Sequence, residues 1–291
     1  STAILNLTIT NANTSTTTII SCDSVVWNGV TYGQSGTYSY GSSSTLSNNY
    51  SLSSVSGNNK YMQVPYTSSF HPANAFSFTC HIKASTATST TLMHTGSDGD
   101  PENTFTLQCS YYNSPNYYVF DLRAEYGGGS DFTYTSTPFI LNNDWNFITA
   151  TWDGISWRFY INGQLISSTI APSAPGSWAG RDFSFIDGEH MFDNLQIWNS
   201  DLSQQEIQQY MNCPPTGSES GLAGYWNFEE GSGITAYDQT SNGNDGTING
   251  ATYDTNVPAQ SCGGGLINAN GCDSTATLNL TINNSSTSDT Y

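Results

Sequence analysis

The chain ends as it begins. Ser1-Thr2-Ala3-Ile4-Leu5-Asn6-Leu7-Thr8-Ile9 returns as Ser274-Thr275-Ala276-Thr277-Leu278-Asn279-Leu280-Thr281-Ile282 with a single position changed. A weaker match continues through Asn11/Asn284, Thr14/Thr287, Ser15/Ser288 and Thr17/Thr290. Near the two copies, Cys22-Asp23-Ser24 echoes Cys272-Asp273-Ser274. Self-similarity of this kind marks a tandem array, in which each unit buries its apolar face only against its neighbours. Most of the chain is then expected to lie inside one repeat.

The repeat reads as strands. Val25-Val26-Trp27-Asn28-Gly29-Val30-Thr31-Tyr32 forms two short strands about an Asn-Gly turn, and Gly36-Thr37-Tyr38-Ser39-Tyr40 forms another. Leu278, Leu280 and Ile282 alternate with polar residues, as a half-buried strand requires. Residues 10–44 are read as the first half of a small module and 263–283 as its second half. Residues 1–9 close a preceding repeat, and 284–291 start the next. About 220 residues separate the two halves, many times a usual loop. A whole domain, residues 45–262, is therefore expected in a loop of the module, an event tolerated where the loop ends lie close together.

The inserted stretch alternates with period two. Ala75–Ile82 and Thr104–Cys109 are clear examples. Asp144–Trp152, then Asp153-Gly154, Ser156–Ile161, Asn162-Gly163 and Gln164–Ile166 predict a three-stranded meander, with Trp157, Phe159 and Ile161 on one face. One helix is expected. Ser203-Gln204-Gln205-Glu206 has the capping-box form, Ile207, Tyr210 and Met211 supply an apolar stripe, and Pro214-Pro215 stop it.

Composition narrows the function. Twenty-three acids face five bases, for a net charge of −18. Almost nothing is available to neutralise phosphates, so nucleic acid and anionic lipid are excluded as partners, and no segment is apolar enough to insert in a membrane. Cys22, Cys80, Cys109, Cys213, Cys262 and Cys272 show no CxxC or zinc spacing. An even count of this kind favours disulfides and an oxidising, extracellular destination over six buried thiols.

The repeat segments resemble units of giant bacterial adhesins and gliding-motility surface proteins exported by type IX secretion. The resemblance implies a bacterial cell-surface location, neighbouring repeats of the same chain as partners, and a possible homo-oligomer in a fibre. It also places Cys22 and Cys272 in one small Ig-like β-sandwich, where they are expected to pair. The meander is similar to the core of LamG/pentraxin-type, concanavalin A-like jelly rolls. Phe192-Asp193-Asn194-Leu195-Gln196-Ile197-Trp198-Asn199 with Leu202-Ser203 and Glu206-Ile207 matches that family's ending. Gly224–Gly233 with Asp238 and Asn242–Gly246 matches its beginning. The order is thus permuted, and one permuted sandwich is preferred to one domain plus the stub of a second. The expected fold class is all-β: a LamG-type antiparallel jelly-roll sandwich inserted into a small β-repeat. Cys213–Cys262 would bracket the returning segment, and Cys80–Cys109 would cross-link neighbouring strands.

Candidate sites follow from that resemblance and from residue chemistry. The turn holding Asp238, Asn242, Asn244 and Asp245 is dense in hard oxygen donors suited to Ca²⁺, and the resemblance places Asp193 beside it. The alternative is an Asx-turned loop without metal. Asp98, Asp100 and Glu102 form a second candidate metal loop. Their ExDxE-like spacing is interrupted by glycine and proline, so no strand face aligns them for glycoside hydrolysis, and no catalytic residue is assigned. For glycans, Trp178, Tyr111, Tyr112, Arg123 and Tyr126 are the expected contacts, because aromatic faces stack on sugars while Arg and amide groups bond hydroxyls. The leading reading is a non-enzymatic, calcium-dependent adhesion module for surface glycans. The alternative is a structural or protein–protein domain that spaces or decorates a surface filament.

Overall fold

The fold is described from a computed structural model covering residues 13–22, 25–27, 30–32, 36–41, 48–54, 60–70, 75–84, 88–95, 105–113, 116–124, 132–142, 144–170, 182–260, 262, 266–267 and 273–283. The chain divides into two compact units, residues 1–47 with 261–291 and residues 48–260. Expectations placed on residues 1–9, on 284–291 and on Cys272 lie outside the described residues, as does the Cys22 side chain.

The first unit holds β1 (Asn13–Cys22), β2 (Val25–Trp27), β3 (Val30–Tyr32) and β4 (Gly36–Gly41). The second opens with β5 (Ser51–Ser53), β6 (Tyr61–Val64), β7 (Phe76–Ala84), β8 (Thr90–Thr95), β9 (Phe105–Asn113) and β10 (Asn116–Ala124). It continues with β11 (Phe132–Thr135), β12 (Asn146–Trp152), β13 (Ser156–Ile161), β14 (Gln164–Ile170), β15 (Phe183–Gly188) and β16 (His190–Trp198). After helix α1 (Gln204–Asn212) come β17 (Leu222–Trp226), β18 (Thr235–Ala236), β19 (Gly246–Asn249) and β20 (Thr252–Asp254). The first unit resumes with β21 (Leu266–Ile267) and β22 (Asp273–Asn283).

In the first unit, β22 pairs in parallel with β1 and antiparallel with β4 and β21, while β2 and β3 form the hairpin expected around Asn28-Gly29. The parallel pair sets Ile19 opposite Leu280. Sequence alternation cannot reveal this pairing, because it carries no information about partner direction.

The second unit is a two-sheet sandwich. A front sheet runs β11-β10-β9-β8-β15-β6-β19-β18, and a back sheet runs β14-β13-β12-β7-β16-β5-β20 with β17 also on β16. Period-two alternation sends Phe105 and Leu107 inward from the front sheet and Phe76, Phe78, Trp157 and Phe159 inward from the back. Rings meet across the interior: Phe105 stacks on Trp157 at 5.7 Å, and Phe120 on Phe159 at 5.3 Å. Each such fully buried ring contributes roughly 1.5–3 kcal/mol of burial. The predicted meander is present as β12-β13-β14, and Asn162 and Gly163 take the positive φ values that a two-residue primed turn demands. The capping box at Ser203 and Glu206 forms, and Ile207 is buried beneath α1. Residues 222–254 supply strands to both sheets of this same sandwich. Among the described residues no helix is long and apolar enough to cross a membrane.

The cysteines depart from expectation at one pair. Cys213 and Cys262 are both disulfide-bonded. Cys80 and Cys109 are buried free thiols, not a cross-link between neighbouring strands. Their strands, β7 and β9, belong to opposite sheets, and both side chains point into the shared core. There they pack as small apolar groups. Burial pushes the Cys80 thiol well up, and nearby Cys109 and then Asp193 push the same way.

Candidate functional site

The two sheets have unlike outer faces. On the back sheet, Phe147, Tyr160, Trp198, Leu222 and Tyr225 cluster with Leu202 and Ile207, and Tyr210 and Met211 of α1 pack on them. Between these rings lies a polar row. Gln196 stands opposite Thr79, Thr79 opposite Thr149, and Thr149 opposite Tyr160. His81, on the same strand as Thr79, contacts the Met211 carbonyl oxygen through Nε2 at 3.1 Å. Burial lowers its pKa to about 4, and the Met211 carbonyl opposes the shift. This face is closed.

Among the described residues no helix lies over the front sheet. Tyr112 and Tyr117 are register partners at the end of the β9–β10 hairpin, stacked with centroids 5.2 Å apart and planes within 18°. Tyr112 is 46% exposed. Along the same face follow Ser110 opposite Val119, Gln108 opposite Asp121, and Thr106 opposite Arg123. Gln108, Thr106 and Asp121 are half-buried, Arg123 is exposed, and Ser110 and Val119 are buried between them and the tyrosines. Thr135 on β11 donates from Oγ1 to Asp121 Oδ1 at 2.6 Å. Thr106 Oγ1 lies 2.9 Å from His94 Nδ1 on β8. A strip of stacked phenols followed by amide, carboxylate, hydroxyl and guanidinium groups can hold a polyol by ring stacking and hydrogen bonds.

Of the expected glycan contacts, the structure brings Tyr112 and Arg123 onto this strip. Tyr111 is a correction. One residue from Tyr112, it points to the other side of β9, where it packs against the core and tilts on Tyr118 at 5.1 Å. Trp178 and Tyr126 lie outside the described residues. Sequence reasoning missed Gln108, Thr106, Asp121 and His94 as members of this face. The alternation of Phe105, Leu107 and Cys109 already sends Thr106 and Gln108 outward, but only the hairpin register puts Asp121 beside Gln108.

The acidic candidates Asp238 and Asp193 each have their own hydrogen-bond partners. Asp238 Oδ1 accepts from the amides of Tyr225 (3.1 Å) and Thr240 (2.9 Å), and Oδ2 from Thr240 Oγ1 (2.9 Å) and the Asn244 amide (2.9 Å). Asp245 Oδ1 accepts from the Asp238 amide, while Asn242 and Asn244 both donate Nδ2 to the Ala223 carbonyl. Four donors occupy the lone-pair sites of Asp238, so that carboxylate is already satisfied by the turn itself. Asp193 is fully buried. Asn48 Nδ2 donates to its Oδ2 at 3.0 Å and the Asn194 amide to Oδ1 at 2.7 Å. Burial raises its pKa well above the carboxylate range, those two hydrogen bonds lower it, and Glu229 nearby raises it. Glu229 in turn accepts from the amides of Asn49 and Tyr50. These acids clamp the segment 48–50 onto the sandwich. Among the described residues no three His, Cys, Asp or Glu side chains gather as metal ligands. Asp98, Asp100 and Glu102 lie outside the described residues.

A family model described as Laminin_G_3, concanavalin A-like lectin/glucanases superfamily, matches residues 56–208, just over half of the chain. No curated protein matches it. Among solved structures, a candidate carbohydrate binding protein from Bacteroides ovatus ATCC 8483 aligns over 75% of this chain and 62% of its own, at 18% identity and TM-score 0.54. The chain thus spans about three-fifths of that relative. A heptameric SAP-like pentraxin from Limulus polyphemus aligns over 72% of this chain and 95% of its own, at 10% identity and TM-score 0.48. The CBM40 of a Ruminococcus gnavus IT-sialidase, bound to alpha2,3 sialyllactose, aligns over 54% and 94%, at 14% identity and TM-score 0.39. These likenesses concern the fold.

Proposed function

The chain belongs to the Laminin_G_3 family of the concanavalin A-like lectin/glucanase superfamily, and from that membership we propose that its sandwich is a non-enzymatic glycan-binding module of an extracellular adhesion protein. The observation that carries the reading is the Tyr112–Tyr117 stack, with Tyr112 exposed, in line with Gln108, Asp121 and Arg123 on one face of the front sheet. The carbohydrate-binding description of the Bacteroides ovatus relative supports it. The oxidised Cys213 and Cys262 support an extracellular, cell-surface location. The terminal repeat supports membership of a larger tandem protein.

The test is glycan-array binding followed by titration calorimetry of the best ligand with the wild type and Tyr112→Ala. Stacking of one ring contributes about 0.5–1.5 kcal/mol, so the variant is expected to lose roughly two- to tenfold in affinity with its melt unchanged. An affinity unmoved by the substitution removes the strip from the reading.

Calcium enters the proposal only through Asp98, Asp100 and Glu102. Melting with and without EDTA is expected to show a stabilising shift in the wild type, absent from a D98N/D100N/E102Q variant. Equal curves for the wild type remove calcium altogether.

A further inference from the structure

We infer that the front-sheet strip takes a neutral oligosaccharide, several sugar units long, and discriminates against acidic glycans; this rests on the glycan-binding reading above. The length follows from register. Tyr112 to Thr106 along β9 and Tyr117 to Arg123 along β10 are each a separation of six residues. At about 3.4 Å per residue the strip is roughly 20 Å long. A monosaccharide stacked on Tyr112 would leave Gln108, Asp121 and Arg123 untouched, so the polar end of the strip is engaged only by a longer chain.

The class follows from charge. The molecule carries 23 acids and five bases. Two of those bases are committed away from the strip: Lys83 pairs with Asp144 at 3.4 Å, and Arg158 is shared between Asp153 and Asp201. Among the described residues of the strip Arg123 is the base, and Asp121 stands two residues from it on the same face, about 7 Å along the strand. That separation is within the Debye length of about 8 Å at physiological salt. A carboxylated or sulfated sugar near Arg123 therefore meets Asp121 almost as closely, and at low salt, where screening weakens, the net charge of the whole molecule repels it as well. Neutral hydroxyls meet no such opposition: a carboxylate, an amide and a guanidinium all bond them.

The experiment uses the full chain against cellotetraose, laminaritetraose, mannotetraose and lacto-N-neotetraose, with the matching disaccharides and the sialylated lacto-N-neotetraose. Each is measured at low and at physiological salt with the wild type, Tyr112→Ala, Asp121→Asn and Arg123→Gln, all checked by thermal melt. At least one neutral tetrasaccharide is expected to bind, with its disaccharide and any acidic counterpart each roughly tenfold or more weaker. The acidic penalty should grow at low salt and shrink in Asp121→Asn. Stronger binding of the sialylated form, sensitive to Tyr112→Ala and Arg123→Gln, would overturn the neutral class while leaving the glycan site standing. Equal binding of disaccharide and tetrasaccharide would overturn the length. Silence from every glycan would overturn the glycan-binding reading itself.

Discussion

The two outer faces of the sandwich are built from similar residues and differ in how far their rings are exposed. The back face carries Phe147, Tyr160, Trp198 and Tyr225 among threonines and a glutamine; the front face carries Tyr112 and Tyr117 among threonine, glutamine and aspartate. Among the described residues, what separates them is one nine-residue helix over the back face. Where α1 lies, the aromatics are buried and act as a second small core. On the front face, where no helix lies among the described residues, Tyr112 stays half in water. An aromatic-polar strand face is therefore ambiguous until its cover is known.

The sharpest way to break this comparison is to truncate the covered face. Trp198→Ala should cost about 3–5 kcal/mol by urea unfolding, because the ring is fully buried and its Nε1 bonds Gln196. A loss under about 1 kcal/mol would mean that α1 does not seal that face.

Proton linkage tests the same cover. His81 has its pKa lowered to about 4, while the unfolded chain protonates it near 6.5. Its stabilisation is complete above pH 6.5, falls as the pH drops, and levels off near pH 4, a loss on the order of 3 kcal/mol. His190, also lowered by burial, acts in the same sense, whereas Asp193, raised by burial, favours low pH. Unfolding measured from pH 8 to 4 should show the decline, and His81→Gln should flatten it; an unchanged slope would place His81 in water.

Reduction of the disulfide at Cys213, the C-cap residue of α1, should cost about 2 kcal/mol or more. Cys80 and Cys109 should resist thiol reagents until the protein is unfolded, since burial holds both thiols protonated. The smallest effect belongs to the open face: Tyr112→Ala should change stability by less than about 1 kcal/mol while weakening glycan binding, the reverse of Trp198→Ala.

Much of this was legible from local pattern. Strand alternation, the Asp153-Gly154 and Asn162-Gly163 turns and the Ser203/Glu206 capping box are short-range signals, because each depends on geometry within a few residues. They determined the meander, the helix and the all-β class. The candidate site was only half legible. Tyr112 and Arg123 stand out as residue types, yet residue type does not distinguish Tyr111 from Tyr112, and adjacent positions on a strand face opposite ways.

Contacts between distant segments were decided only by tertiary structure. Cys80 and Cys109 look like partners in a list of cysteines, but they rise from opposite sheets into one core. Asp193 and Asp238 look like one metal site beside each other in a family pattern. Asn48 and the Asn194 amide claim the first, and Tyr225, Thr240 and Asn244 claim the second. Sequence determined which groups this protein possesses and how each strand alternates. Only the packing of strands from both ends of the domain decided which oxygens are already satisfied and which aromatic face is left to water, because hydrogen-bond saturation and burial are properties of neighbours in space.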